Sequence, residues 1–208
     1  MPVHFPPRDE AGVFDVEFIK FDEASEALRE LGIEATLIDD EHLRLEAVEA
    51  VYPEPLCHLH LADGASTAVA RNGARVIAIE KARIADVALN MIGQLHLSQL
   101  LLVPVGKWRS IFDAVAFSMA SNDEWQAVDA MATVELNTRD PLLCEPADYH
   151  TLHALINALL QDAQSPDQGL TMAATATPFL AEIIPDGAVR VTVGNQVLAD
   201  EIEEGLRV

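Results

Sequence analysis

The sequence predicts an α+β fold: a mixed β-sheet with a central βαβ unit, three or more packed helices and a C-terminal β-hairpin. Three observations lead there. Residues 75 to 105 read as strand, helix and strand in succession, a pattern that gives parallel strands joined by a right-handed crossover. Residues 179 to 193 read as two strands around the turn sequence Pro185-Asp-Gly187. Helical patterns concentrate between Trp108 and Asp162 instead of alternating regularly with strands, which favours α+β over a doubly wound sheet.

In chain order, Val13 to Phe21 is rich in β-formers and predicts a strand, and Asp22 to Leu31 a short helix stopped by Gly32. Ile33 to Ile38 and His42 to Val48 follow as strands about an Asp39-Asp40 turn, so residues 1–55 read as an N-terminal βαββ unit or subdomain and 56–208 as the main α+β domain. A single compact domain is the alternative. Leu56 to Leu61 alternates as a strand, and Asp63 to Gly73 is rich in turn residues and reads as a turn or hairpin loop. Ala74 to Glu80 is the next strand. In the helix from Ala82 to Gln94, Ile84, Val87, Ala88, Met91 and Ile92 recur at helical spacing, and Leu97 to Val105 is a buried strand. From Lys107 a helix carries the stripe Trp108, Ile111, Phe112, Val115 and Met119. Ser121 to Glu124 is a capping-box pattern opening a second helix, and a third runs from Pro146 to Asp162. The strand set closes with Leu170 to Thr177, Phe179 to Ile184 and Ala188 to Val193, before an acidic tail at Asp200 to Glu204.

Composition bounds the function. Of 208 residues, 50% are hydrophobic and 23% charged, so a folded chain with an aliphatic core is expected rather than acidic disorder. The longest apolar run, Leu100 to Val105, is far short of the ~20 residues of a membrane span. No export signal is recognisable at the start, so the expected location is the cytoplasm, with Cys57 and Cys144 as reduced buried thiols. The net charge is −21, which argues against nucleic-acid binding, because phosphate backbones call for a clustered basic face. Charge is uneven. Between Gly64 and Asn122 six basic residues (Arg71, Arg75, Lys81, Arg83, Lys107 and Arg109) meet three acidic ones, leaving that window at +3 and the remainder at −24.

Three groups of residues invite a chemical reading. Gly106-Lys-Trp-Arg-Ser110 lies where a strand passes into a helix, so free amides with Lys107, Arg109 and Ser110 could hold a phosphate-type anion. It is not a P-loop, since Leu101 stands where the first glycine belongs and Trp108 where Ser or Thr follows the lysine. His58 and His60 share one face of a strand and could ligate a metal, with His150 and His153 as conceivable further ligands. The HxHxDH pattern of zinc hydrolases fails, because Ala62 and Asp63 occupy its Asp and His positions. Gly64 to Ala68 falls one residue short of a GxSxG elbow, and Ser66 is not expected to be a nucleophile. Finally, Phe117 falls off the Trp108 stripe, on the side of Ser110 and Asp113, as an aromatic residue of an interface would. The sequence names no reaction. The expectation is a non-catalytic cytoplasmic protein working through protein contacts or self-association, with no cofactor, and with the anion and metal readings as alternatives.

Overall fold

A computed structural model describes residues 18–38, 41–52, 55–63, 74–97, 99–132, 139–185, 187–194 and 196–206. The Val13 to Glu17 part of the first predicted strand, the Asp39-Asp40 turn, and Gly64 to Gly73 with Ser66 and Arg71 lie outside them. The fold is α+β, with a mixed seven-stranded sheet and a separate antiparallel pair of strands.

The chain enters at Phe18, which makes a single antiparallel bridge to Leu142. The strand predicted to run on to Phe21 does not, because Phe21 is the first residue of helix α1 (Phe21–Glu30), where the Asp140 carboxylate accepts its backbone N–H at 2.9 Å. Gly32 ends that helix at φ 74, a left-handed conformation that glycine adopts without a steric cost. Strands β1 (Ile33–Ile38) and β2 (His42–Ala47) then pair as the expected antiparallel hairpin.

The main sheet is built from β3 (Cys57–Ala62), β4 (Arg75–Ala78), β5 (Leu100–Pro104), β6 (Leu142–Cys144), β7 (Leu170–Ala174), β8 (Phe179–Ile184) and β9 (Ala188–Val193), in the order β4-β3-β9-β8-β7-β5-β6. The C-terminal hairpin β8–β9 therefore lies in the middle of the sheet, with β3 added to its outer side. β3 and β4 pair in parallel and not as the antiparallel arms of a hairpin. β4 and β5 run in the same direction, joined through helix α2 (Ile84–Gln94), and the crossover spans four intervening strands. β4 stands at one sheet edge.

Helices α2, α3 (Trp108–Val115), α4 (Asp123–Ala132) and α5 (Tyr149–Asp162) cover one face of the sheet. Leu59, Leu61, Val189, Val191, Phe179 and Met172 meet them from the strands, as the period of two dictates. α3 ends at Val115, one turn earlier than the stripe predicted, and Met119 is buried from the turn that follows. The cap of α4 is also different from the predicted box: Asn122, not Ser121, accepts the Trp125 N–H at 2.8 Å. The Glu124 carboxylate is taken instead by the Thr151 hydroxyl on α5. Phe18, Trp108, Phe112 and Trp125 form a chain of ring contacts between these helices, with the Phe112 and Trp125 rings stacked at 4.7 Å. The acidic tail is a sixth helix, α6 (Gln196–Leu206), docked on the same side by Ala199. Its Asp200 and Glu203 both accept from Arg75, at 2.6 and 2.9 Å. One of the cations in the basic window is thus answered inside the chain.

The other face is covered in part by α1 and the β1–β2 hairpin. Ala24, Leu28, Ile33, Leu43 and Leu45 pack there on Leu101, Val103, Leu143, Ala173 and Leu180. The hairpin is fastened by the Leu43 N–H to the Val105 carbonyl at 2.6 Å. Cys57 and Cys144 are buried and not joined to each other by a disulfide, and no helix among the described residues is long and apolar enough to cross a membrane.

Two tyrosine hydroxyls tie this framework together. Tyr52 donates to the Leu31 carbonyl and Tyr149 to the Leu97 carbonyl at 2.8 Å. Burial raises both above the ordinary value of 10.0, and Tyr149 reaches about 12. A folded-state value above the unfolded one means that their stabilisation is complete below pH 10 and is lost as pH rises through the folded values, about 12 for Tyr149. These are the two tyrosines of the chain, so an absorbance titration of native protein should show no ordinary tyrosine. Tyr149→Phe should cost about 1 kcal/mol at neutral pH and flatten the alkaline limb of the stability curve. A native tyrosine titrating at its ordinary value would contradict this arrangement.

Candidate functional site

Past the edge of the hairpin, the second face of the sheet is polar. In the β8–β9 register Glu182 lies opposite Arg190, and in the neighbouring pairs Thr171 lies opposite Glu182 and His60 opposite Arg190. One transverse row therefore reads Thr171, Glu182, Arg190, His60. The next row carries Thr192 opposite His58, whose Nδ1 lies 3.0 Å from the Thr192 hydroxyl. Arg190 Nη1 donates to Glu182 Oε2 at 3.3 Å, and both side chains are about two-thirds buried or more, with 26% and 31% exposed.

Two cavities flank this charge pair. One, of about 280 Å³, opens beneath Leu45 to Ala47 and reaches His58 and Thr192. The other, of about 520 Å³, opens beneath His42 to Arg44 and is bounded by Val105, Ile184 and Pro185. Glu182 and Arg190 belong to the walls of both. β2 roofs them; among the described residues its strand partner is β1, and the Leu43 N–H reaches the Val105 carbonyl instead. The site is a cleft between hairpin and sheet. It is apolar along Leu45, Leu180 and Ile184 and polar at its floor.

His58 and His60, singled out by their spacing, lie on this face of the sheet, but the two differ: His58 is exposed and lines the smaller cavity, and His60 is fully buried. His150 and His153 belong to α5 on the opposite face, and His153 contacts Asp86 of α2 at 2.7 Å. The two histidine pairs are not brought together. Among the described residues no group of three or more His, Cys, Asp or Glu side chains could hold a metal ion.

The 106–110 turn has a different occupant. The Gly106 N–H donates to the Asp167 carbonyl at 3.2 Å, and a Cβ at Gly106 would stand 2.5 Å from that oxygen. The Asp167 carboxyl is held below its ordinary range by the Ser165 hydroxyl first and also by Ser110. The Asp167 carbonyl therefore takes the Gly106 N–H and its carboxylate the Ser110 hydroxyl, two of the donors an anion would need. Lys107 is exposed, and Arg109 lies 3.8 Å from Asp113 on the helix surface.

Phe117 lies in the turn after α3 and is 93% exposed, although Trp108, Val115 and Met119 around it in sequence are buried. The neighbouring Ser118 hydroxyl fixes this turn to Asp162 of α5 at 2.5 Å.

Glu182, Arg190, Thr171 and Thr192 were not picked out from sequence. The signal was present: a hairpin closed at Pro185-Asp-Gly187 sets Ile184 against Ala188, and counting back two residues on each strand sets Glu182 against Arg190. No protein-family model, curated protein or solved structure matches this chain.

Proposed function

We propose that this protein is non-catalytic and works in the cytoplasm through protein–protein contact, with self-association through the turn after α3 as its form. The observation that carries this reading is the 93% exposure of Phe117 on a turn whose other large apolar side chains are buried. A monomer that leaves a phenylalanine in water forgoes about 1.5–3 kcal/mol of burial, which a contact would recover. Copies of a chain carrying −21 repel one another, so the apolar contact must outweigh that repulsion. A nucleic-acid partner is not part of this reading, given the same charge.

Light scattering over a range of protein concentrations tests it. The expected result is a mass above that of one chain, favoured by added salt, which screens the repulsion between copies. Phe117→Ser should weaken the association by roughly 10- to 100-fold without lowering the melting temperature, because the side chain makes little intramolecular contact. A chain that stays monomeric at high concentration, with Phe117→Ser indistinguishable from it, would sink the proposal.

A further inference from the structure

We propose that the cleft on either side of Arg190 binds a small organic monocarboxylate with an apolar body. This site is separate from the Phe117 turn and does not depend on the self-association reading. Arg190 is the starting point. A guanidinium carries five N–H donors, and among the described residues the one hydrogen bond seen is the 3.3 Å contact from Nη1 to Glu182, while Nε is buried with no partner. The side chain is 26% exposed and lines both cavities, so N–H donors beyond the one used on Glu182 are left for a ligand to satisfy. Two N–H donors of a guanidinium match the two oxygens of a carboxylate side by side.

The surroundings narrow the class. Leu45, Leu180 and Ile184 offer apolar walls for the body of the ligand, and Thr192 and His58 offer polar atoms at one end. The cavities, at about 280 and 520 Å³, are of the size that small molecules occupy. Glu182 sets the charge limit. Its carboxylate beside Arg190 opposes a dianion such as phosphate more strongly than a monoanion. Arg44, which also lines the larger cavity, stands 3.5 Å from Glu46, so each guanidinium at the cleft already has a carboxylate beside it and a single ligand charge is the arrangement these residues support.

Calorimetry on the whole chain tests this with octanoate as the probe, against octanol and inorganic phosphate. Octanoate should bind at a stoichiometry near one, and neither octanol nor phosphate should. Arg190→Met should weaken octanoate binding at least 10-fold. Glu182→Gln removes the competing carboxylate and should strengthen it several-fold, which keeps the test decisive if Arg190→Met does not fold. Octanol binding as well as octanoate would reduce the cleft to an apolar cavity and overturn the proposal. Phosphate binding, undiminished binding by Arg190→Met, or weaker binding by Glu182→Gln would overturn it too.

Discussion

Trp108→Ala is expected to lower the free energy of unfolding by about 3–5 kcal/mol, the range for removing a large buried aromatic side chain. The indole is fully buried, touches Phe18 and Phe112, and donates from Nε1 to the Asp140 carbonyl at 2.8 Å. The loss therefore has two parts. A cavity opens between α3 and the sheet, and a buried carbonyl loses its donor. Asp140 also caps α1 through the Phe21 N–H and holds Lys20 at 3.0 Å, so the damage should spread to the N-terminal helix. Urea unfolding followed by far-UV circular dichroism measures the total. Trp108→Phe should recover much of the packing but not the hydrogen bond, leaving a deficit of about 1–2 kcal/mol. A Trp108→Ala protein within 1 kcal/mol of the parent, on the order of an exposed substitution, would contradict the packing described.

Gly106→Ala should be the most costly single-methyl addition. The new carbon would lie 2.5 Å from the Asp167 carbonyl oxygen and 2.8 Å from the Asp167 Cβ, and the first of these is backbone, which cannot swing aside. The 166–168 turn must move away or the α3 entrance must shift, at a cost of about 1–3 kcal/mol. That movement would also separate Ser110 from the Asp167 carboxylate. Chemical unfolding gives the energy, and exchange of the Gly169 amide, bonded to the Pro166 carbonyl at 3.1 Å, reports whether the turn has loosened. Unchanged stability together with unchanged exchange would show that the turn yields without cost.

Local chemistry made part of the fold legible. The β1–β2 and β8–β9 hairpins follow from alternating apolar residues around strong turn sequences, and α5 from a helical stripe opened by Pro146. The order of the strands was beyond reach for a physical reason. His58 and Thr192 are neighbours across β3 and β9, yet 134 residues separate them, and no local pattern encodes such a pairing. β6 has three residues between Pro141 and Pro146, too few to show a period. α6 was hidden by its own acidity, because a run of carboxylates looks solvated until Arg75 is seen to hold two of them. At the cleft, spacing along one strand was enough to put His58 and His60 on one face. The pairing of Glu182 with Arg190, and the location of that pair under β2, needed register and tertiary packing.

The placement of β8 and β9 in the middle of the sheet also governs the order of events as the chain is made. β3 is made before its partner β9, with β5, β6, β7 and β8 in between, and β5 must likewise wait for β7. The apolar underside of the α1 and hairpin unit, with Leu28, Ile33 and Leu43, rests on residues that include Ala173 and Leu180. These surfaces stay without their final neighbours until those strands have been made, and pairings over such separations form slowly relative to local contacts. Strong negative charge fits that history: it keeps unfinished chains apart during the interval in which their strands have nothing to pair with.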